Sequence, residues 1–314
     1  MLKIGVQSQN VVYDDDPLVG YETLKRAGFD CCDFSLNTYL INTSIYNYDL
    51  NDFFSKPETE LENFFAAHSR AAKKVGICIN QMHMPYPNYI PNTPREINDY
   101  LMNTVAPNSI KICAAMDCKN IVVHGFKLRR NWVSEEKEWE ETEKFFDSIA
   151  PLAKEHGIVI CVENIYESCG GHIVEGSCCN AAKAAERIDR FNDRCGCEVL
   201  GFCYDTGHAN LIGLDHYDFI TTLGSRLKVL HIHDNDGVGD LHQIPFTFTR
   251  VRENTACTDW ESFTAGLREI KFDGVLSFET APVLRSFPPE MKEDALAFIA
   301  KIGRYFGEKI CNEV

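Results

Sequence analysis

The amino-acid sequence predicts a single (β/α)8 barrel, one α/β domain spanning residues 1–314. Three observations carry this prediction. Eight short apolar runs alternate with eight helical stretches, and strands that alternate with helices pair in parallel through crossover connections. Six of the runs close on an ionisable residue, which is costly to bury alone and so points to strand ends that converge. The competing open, doubly wound sheet would carry a Gly-x-Gly-x-x-Gly turn after its first strand, and none stands there.

A first strand over 3–8 leads into a helix over 17–27, which begins at Pro17, where a missing N–H costs least, and stops at Gly28. A strand over 31–36 is followed by a long loop, 37–57, rich in Asn and Tyr, and by a helix over 58–75 set between Pro57 and Gly76. The third strand, 77–84, carries His83 and precedes a helix over 94–116 that starts at Pro94. The fourth, 120–126, carries His124 and is followed by a helix over 135–156 that ends at Gly157. The fifth strand, 158–164, closes on Glu163, and a helix over 178–191 follows it. The sixth, 200–205, closes on Asp205 with His208 three residues on, before a helix over 215–224. The seventh, 228–234, carries His231 and His233, which share a face under strand alternation.

A second long loop, 235–258, holds Asp240, His242, Phe246, Phe248, Arg250 and Arg252; the two phenylalanines have the spacing of a half-buried β-ribbon. Trp260, Phe263, Leu267 and Ile270 mark a helix over 259–270 by their three-to-four-residue spacing. The last strand, 274–279, closes on Glu279, and a helix over 290–307 completes the eighth unit. Long loops on barrels dress the active-site mouth.

Composition narrows the function classes. A net charge of −15 argues against a protein that grips nucleic acid by neutralising phosphates. No run of about 18 apolar residues is present, so no membrane-spanning helix is expected. The N-terminus reads as a strand rather than a signal peptide, which predicts a cytoplasmic protein. The fourteen cysteines lack a Cys-x-x-Cys pair and several fall in core elements, so they read as buried free thiols rather than a disulfide framework or structural zinc.

Barrel enzymes place their chemistry at the C-terminal ends of the strands, where His83, His124, Glu163, Asp205 with His208, His233 and Glu279 would meet. Mixed carboxylate and imidazole ligands suit Mn, Co, Zn, Mg or Fe. Val-Glu-Asn at 162–164, Tyr-Asp-Thr-Gly-His-Ala-Asn at 204–210, His-Ile-His-Asp-Asn-Asp-Gly at 231–237 and Ser-Phe-Glu-Thr at 277–280 together resemble the xylose-isomerase-like barrels. That superfamily includes sugar phosphate isomerases and epimerases, ketose 3-epimerases, inosose-processing enzymes and endonuclease IV of AP endonuclease family 2.

The resemblance implies one divalent ion (Mn, Co, Zn or Mg) held by Glu163, Asp205, His233 and Glu279. His233, nearer the mouth, is the expected ligand, and His231 is read as a hydrogen-bonded interior residue. It implies isomerase or epimerase chemistry on a sugar, sugar phosphate or cyclitol through a cis-enediolate, with Glu163 and Glu279 as acid and base. His208 resembles a substrate-contacting histidine, and Arg250 with Arg252 form a candidate anion clamp.

No nucleic acid or membrane partner is expected; a homodimer or homotetramer is, with 244–258 as its contact surface. His83, His124, His208, Asp240 and His242 also match the further ligands of endonuclease IV, which makes a three-zinc phosphodiesterase the alternative. A metal-dependent lyase or dehydratase and a non-catalytic sugar-binding barrel are open on the same scaffold. Two departures bear on substrate: Gly239 stands where ketose 3-epimerases carry an arginine, and a glycine-free stretch from Pro245 to Arg252 replaces a glycine-containing segment.

Overall fold

A computed structural model describes residues 1–248 and 257–311. Its strands are β1 (Lys3–Gln7), β2 (Cys31–Ser35), β3 (Cys78–His83), β4 (Asn120–Val123), β5 (Val159–Glu163), β6 (Tyr166–Cys169), β7 (His172–Glu175), β8 (Leu200–Asp205), β9 (Leu227–His231) and β10 (Val275–Phe278). Eight of them run parallel in the order β10-β1-β2-β3-β4-β5-β8-β9, a near-closed barrel. The last seam, between β9 and β10, is a single bridge: Ile232 donates to the Ser277 carbonyl at 2.9 Å, and Glu279 donates to the Ile232 carbonyl at 3.1 Å.

Strand alternation sorts side chains to the two faces of the barrel wall. Ile121, Val123, Ile160, Val162, Phe202, Tyr204, Leu230, Ile232, Leu276 and Phe278 point outward into the main core between strands and helices. The residues between them point inward, where Val122, Cys161, Cys203 and Val229 form a small apolar plug. Glu163, Asp205, His231, His233 and Glu279 share that inward parity. Their position inside the barrel mouth therefore follows from the register of the apolar residues beside them.

The outer helices follow the predicted punctuation. Pro17–Ala27, Glu58–Val75 and Glu135–His156 end on Gly28, Gly76 and Gly157, each left-handed with φ of 103°, 72° and 62°. The stretch predicted over 94–116 is helical but contains a π turn, Leu101–Val105, between Arg95–Tyr100 and Ala106–Ala115. Pro107 lies just beyond it; a proline cannot donate back to Asn103, and the wider turn accommodates the missing bond. Among the described residues no helix is long and apolar enough to cross a membrane.

Three expectations are corrected. β6 and β7 form an antiparallel hairpin over 166–175, turned by Gly170 and Gly171, where only a loop was expected. Phe246 lies in a turn rather than a ribbon: Thr247 donates to the Ile244 carbonyl at 3.1 Å, Pro245 takes the second position, and Phe246 takes φ 71° at the third. Cys31 and Cys78, neighbours across β2 and β3, are joined in a disulfide, while Cys32, Cys113, Cys161 and Cys203 are buried free thiols. Arg250 and Arg252 lie outside the described residues.

Candidate metal centre

The strand ends bring four carboxylates and six imidazoles into one group. Glu163 is its hub: Oε1 lies 3.3 Å from His231 Nδ1 and 3.2 Å from His208 Nδ1, and Oε2 lies 2.9 Å from His124 Nε2. His231 Nδ1 is also 3.4 Å from Glu279 Oε2 and 3.9 Å from Asp205 Oδ2. On its far side, His231 Nε2 faces Asp33 Oδ2 at 3.2 Å, and Gln81 donates to the same carboxylate oxygen at 3.1 Å. His233 Nε2 reaches Asp205 Oδ2 at 3.0 Å, and its ring stacks on His242 with centroids 4.0 Å apart. The sequence reading did not single out Asp33 or Gln81; their inward parity on β2 and β3 was the available signal.

Two further groups flank this centre. His83 Nε2 and His124 Nε2 are 3.1 Å apart beside Glu163 Oε2, and the three ligand atoms lie within 4.8 Å of one another. On the other side, Asp240 Oδ2 stands 3.5 Å from His208 Nε2 and 3.3 Å from His242 Nε2. All nine residues expected for a mononuclear or trinuclear site therefore come together, and His231 joins them.

Local structure explains the placement. Asp205 caps the helix Thr206–Ile212, its Oδ1 accepting from the His208 amide at 2.6 Å, which turns the His208 ring inward. Gly207 leaves room for the His233 ring; a Cβ there would lie 1.9 Å from His233 Cε1. Gln7 donates to Glu279 Oε1 at 3.0 Å and holds that carboxylate at the mouth.

Electrostatics show a surplus of ligand-type donors balanced by protons. Burial alone would raise the Glu163 carboxyl, but His231 and His124 outweigh it and hold it well below the usual range. Burial likewise opposes charge on His208, yet Asp205 and Asp240 push its pKa well above the ordinary value. His242, against the same burial, is raised to about 9 by Glu279 and Asp240. His83 goes the other way, to about 3, through burial and the neighbouring His124 and His231.

The donor set fits a metal ion. Several buried atoms have no hydrogen-bond partner among the described residues, including Glu163 Oε2, His124 Nδ1 and His233 Nδ1. His124 Nε2 stands 2.9 Å from Glu163 Oε2, out of line for a hydrogen bond, as two ligands of one ion would. Tetrahedral ligands at about 2.1 Å from an ion sit roughly 3.4 Å from each other. The separations of His231 Nδ1 from Glu163, Glu279 and Asp205, at 3.3, 3.4 and 3.9 Å, bracket that value.

Above the centre lies a cavity of about 250 Å³ lined by Asn37, Asn42, Tyr86, Lys127, Tyr166 and the site's own His, Asp and Glu side chains. Lys127, Tyr86 and Tyr166 were not anticipated; a cation three residues beyond His124 was the only hint.

The chain matches the family described as xylose isomerase-like TIM barrel over residues 22–302. It is 28% identical over 176 residues to the uncharacterised protein y4fM of Sinorhizobium fredii, covering 55% of this chain and 50% of that protein. It is 26% identical over 207 residues to the uncharacterised protein MJ1311 of Methanocaldococcus jannaschii, covering 63% of each. The match thus spans half to under two thirds of these relatives. Among solved structures, the fold is similar to 3-keto-D-glucoside 4-epimerase YcjR from E. coli, with a TM-score of 0.67, 16% identity, and coverage of 96% of this chain and 100% of that one. It is also similar to a D-psicose 3-epimerase, with a TM-score of 0.65, 15% identity, and coverage of 97% and 99%. At these identities the structural likeness speaks for the fold alone.

Proposed function

The chain belongs to the xylose isomerase-like TIM barrel family, and we propose on that premise that it is a divalent-metal-dependent isomerase or epimerase of a sugar, sugar phosphate or cyclitol. One observation carries the reading: Glu163 and Glu279 stand within 3.3 and 3.4 Å of the same imidazole nitrogen, at the floor of a small polar cavity. A cavity of about 250 Å³ is just below the usual range for small-molecule sites, roughly 300–1,000 Å³, and suits a monosaccharide better than a polymer. The sugars named for the structural neighbours, psicose and a keto-glucoside, agree with that size class.

The proposed metal ligands are Glu163, Asp205, Glu279 and an imidazole of the His231-Ile232-His233 segment, with His231 favoured by distance. A bound ion would neutralise negative charge that develops on two adjacent substrate oxygens. Glu279, fixed by Gln7 and facing the cavity, takes the proton from the carbon between those oxygens. Glu163, ionised at rest, returns on the other side a proton drawn from His208, whose Nδ1 stands 3.2 Å from its Oε1, and His208 contacts the substrate at the cavity edge. A β-substituent expelled at that stage would make the same residues a lyase site.

A second reading has its own observation. The groups His83–His124–Glu163 and His208–Asp240–His242 offer two more tripods, which a three-zinc phosphodiesterase would fill. Elemental analysis of the untreated protein separates the two: one ion per chain supports the isomerase, three zinc ions the hydrolase. With one ion present, exchange of a sugar C–H for solvent deuterium tests the chemistry; a pure sugar binder would show no exchange.

A further inference from the structure

We propose that Lys127 contacts the substrate and selects sugars that carry a carboxylate or phosphate group. The inference rests on the sugar reading above and names the substrate class within it. Lys127 lies in the loop after β4, and its half-buried side chain lines the cavity over the metal centre. Its Nζ sits 4.8 Å from the Tyr166 ring centroid and 5.4 Å from that of Tyr86. Two rings on either side of an amine stabilise its charge and fix its direction.

The chain on both sides of Lys127 is pinned. Phe126 donates to Thr142 Oγ1 at 2.9 Å, and Leu128 donates to Glu138 Oε2 at 2.7 Å. Arg129 donates to Glu138 Oε2 at 3.0 Å and to Glu167 Oε1 at 3.2 Å; Arg130 donates to Glu167 Oε2 at 3.3 Å. Glu138 and Glu167 are both buried; burial and the neighbouring Glu167 raise Glu138 to about 8, so the two share a proton, and two buried carboxyl groups committed to three consecutive amides are a costly way to shape a loop. What this arrangement delivers is an amine pre-set in the cavity, its ordering cost met before any ligand arrives.

No carboxylate among the described residues lies within ion-pair distance, 4.0 Å, of that amine. The carboxylates that bear on it are Glu167, Asp240 and Glu163. Glu167 is engaged by backbone amides, Asp240 by His208 and His242, and Glu163 by His124, His208 and His231. Lys127 is also the one lysine or arginine among the described residues that line the cavity. A hydroxyl would give it an acceptor but no charge. A carboxylate or phosphate gives both, in a charge-assisted bond roughly twice as strong as a neutral one.

The test titrates Mn²⁺-loaded protein with D-fructose, D-fructose 6-phosphate and D-fructuronate. At least one of the two anionic ketoses should bind tenfold or more tightly than D-fructose, and which one does so identifies the group. Lys127→Met should bring both anions to within twofold of D-fructose, with Mn²⁺ content and melting temperature unchanged, while Lys127→Arg keeps part of the preference. The proposal is overturned if neither anion outbinds D-fructose, or if the Met variant keeps the advantage. Failure of all three sugars to bind the unaltered Mn²⁺-loaded protein would overturn the sugar reading itself, and the role of Lys127 with it.

Discussion

His231 presents one ring nitrogen to three carboxylates, Glu163, Glu279 and Asp205. Sequence placed two histidines on one inward face and chose His233 for its nearness to the mouth. Sequence carries no depth coordinate, and in the fold both have ligand-type neighbours: His231 stands on Asp33 and faces Glu163 and Glu279, while His233 stands 3.0 Å from Asp205 and against His242; the proposed ligand role of His231 rests on its shared distances to the carboxylates. His231→Ala should therefore lower metal affinity at least about a hundredfold and His233→Ala less, measured by competition with a chelating dye; the reverse order would return the ligand role to His233. Asp33→Asn, which touches only the far nitrogen of that ring, should cost roughly 10–100-fold, the usual effect of a ligand's supporting partner. Glu279→Gln should slow solvent-proton exchange by about 10²–10⁴ and leave the barrel folded; retained exchange would remove Glu279 from the chemistry.

Protons also matter at this scale. His231, the favoured ligand, and its neighbours His208 and His242 are all raised in the metal-free protein; a histidine must shed its proton before it can bind a metal, and a cation beside the other two drives their protons off. Metal binding near neutral pH should release protons, visible as a buffer-dependent heat in titration calorimetry. Affinity should rise with pH until about 9, where His242 titrates. The metal-free fold should behave oppositely. A histidine raised in the fold stabilises it fully below the unfolded value of about 6.5, and this is lost as pH climbs through the folded value. Melting temperature without metal should thus fall between about pH 6.5 and 9; a rise across that window would contradict the assigned ion pairs.

At the scale of elements, the eight barrel strands were legible because each is a short β-branched or apolar run, and the outer helices because proline and glycine punctuate them. The hairpin β6–β7 escaped because Tyr166-Glu-Ser-Cys169 and His172-Ile-Val-Glu175 are short and half polar, although Gly170-Gly171 between them is a hairpin turn signal. The π turn escaped because its cause, Pro107, lies after it. The pocket's aromatic walls escaped because Tyr86 comes from the loop after β3 and Tyr166 from β6, and the two flank Lys127 only in the fold. Gly207→Ala drives a methyl into the His233 ring and should cost roughly 1–3 kcal/mol, read as a lower melting temperature together with weaker metal binding; an unshifted melt would mean that the ring moves freely.

At the scale of the whole molecule, Phe246 is 47% exposed yet packs on Trp260, Tyr305 and Phe306, so it extends an aromatic core patch to the surface. Phe246→Ser together with Phe248→Ser should reduce the sedimentation coefficient if this patch joins copies of the chain; an unchanged coefficient would remove it as a contact. The barrel's own closure has a separate consequence. Seven neighbouring strand pairs are laced by ladders, but β9 meets β10 through one bridge, and that bridge lies between His231, His233 and Glu279. An ion held as proposed by Glu279 on one edge and a histidine of the 231–233 segment on the other would act as the missing stitch. Amide deuteration at Ile232 and Glu279 should slow at least tenfold on metal loading while that of β4 and β5 barely changes, so that the cofactor sets how the ring breathes as well as how it reacts.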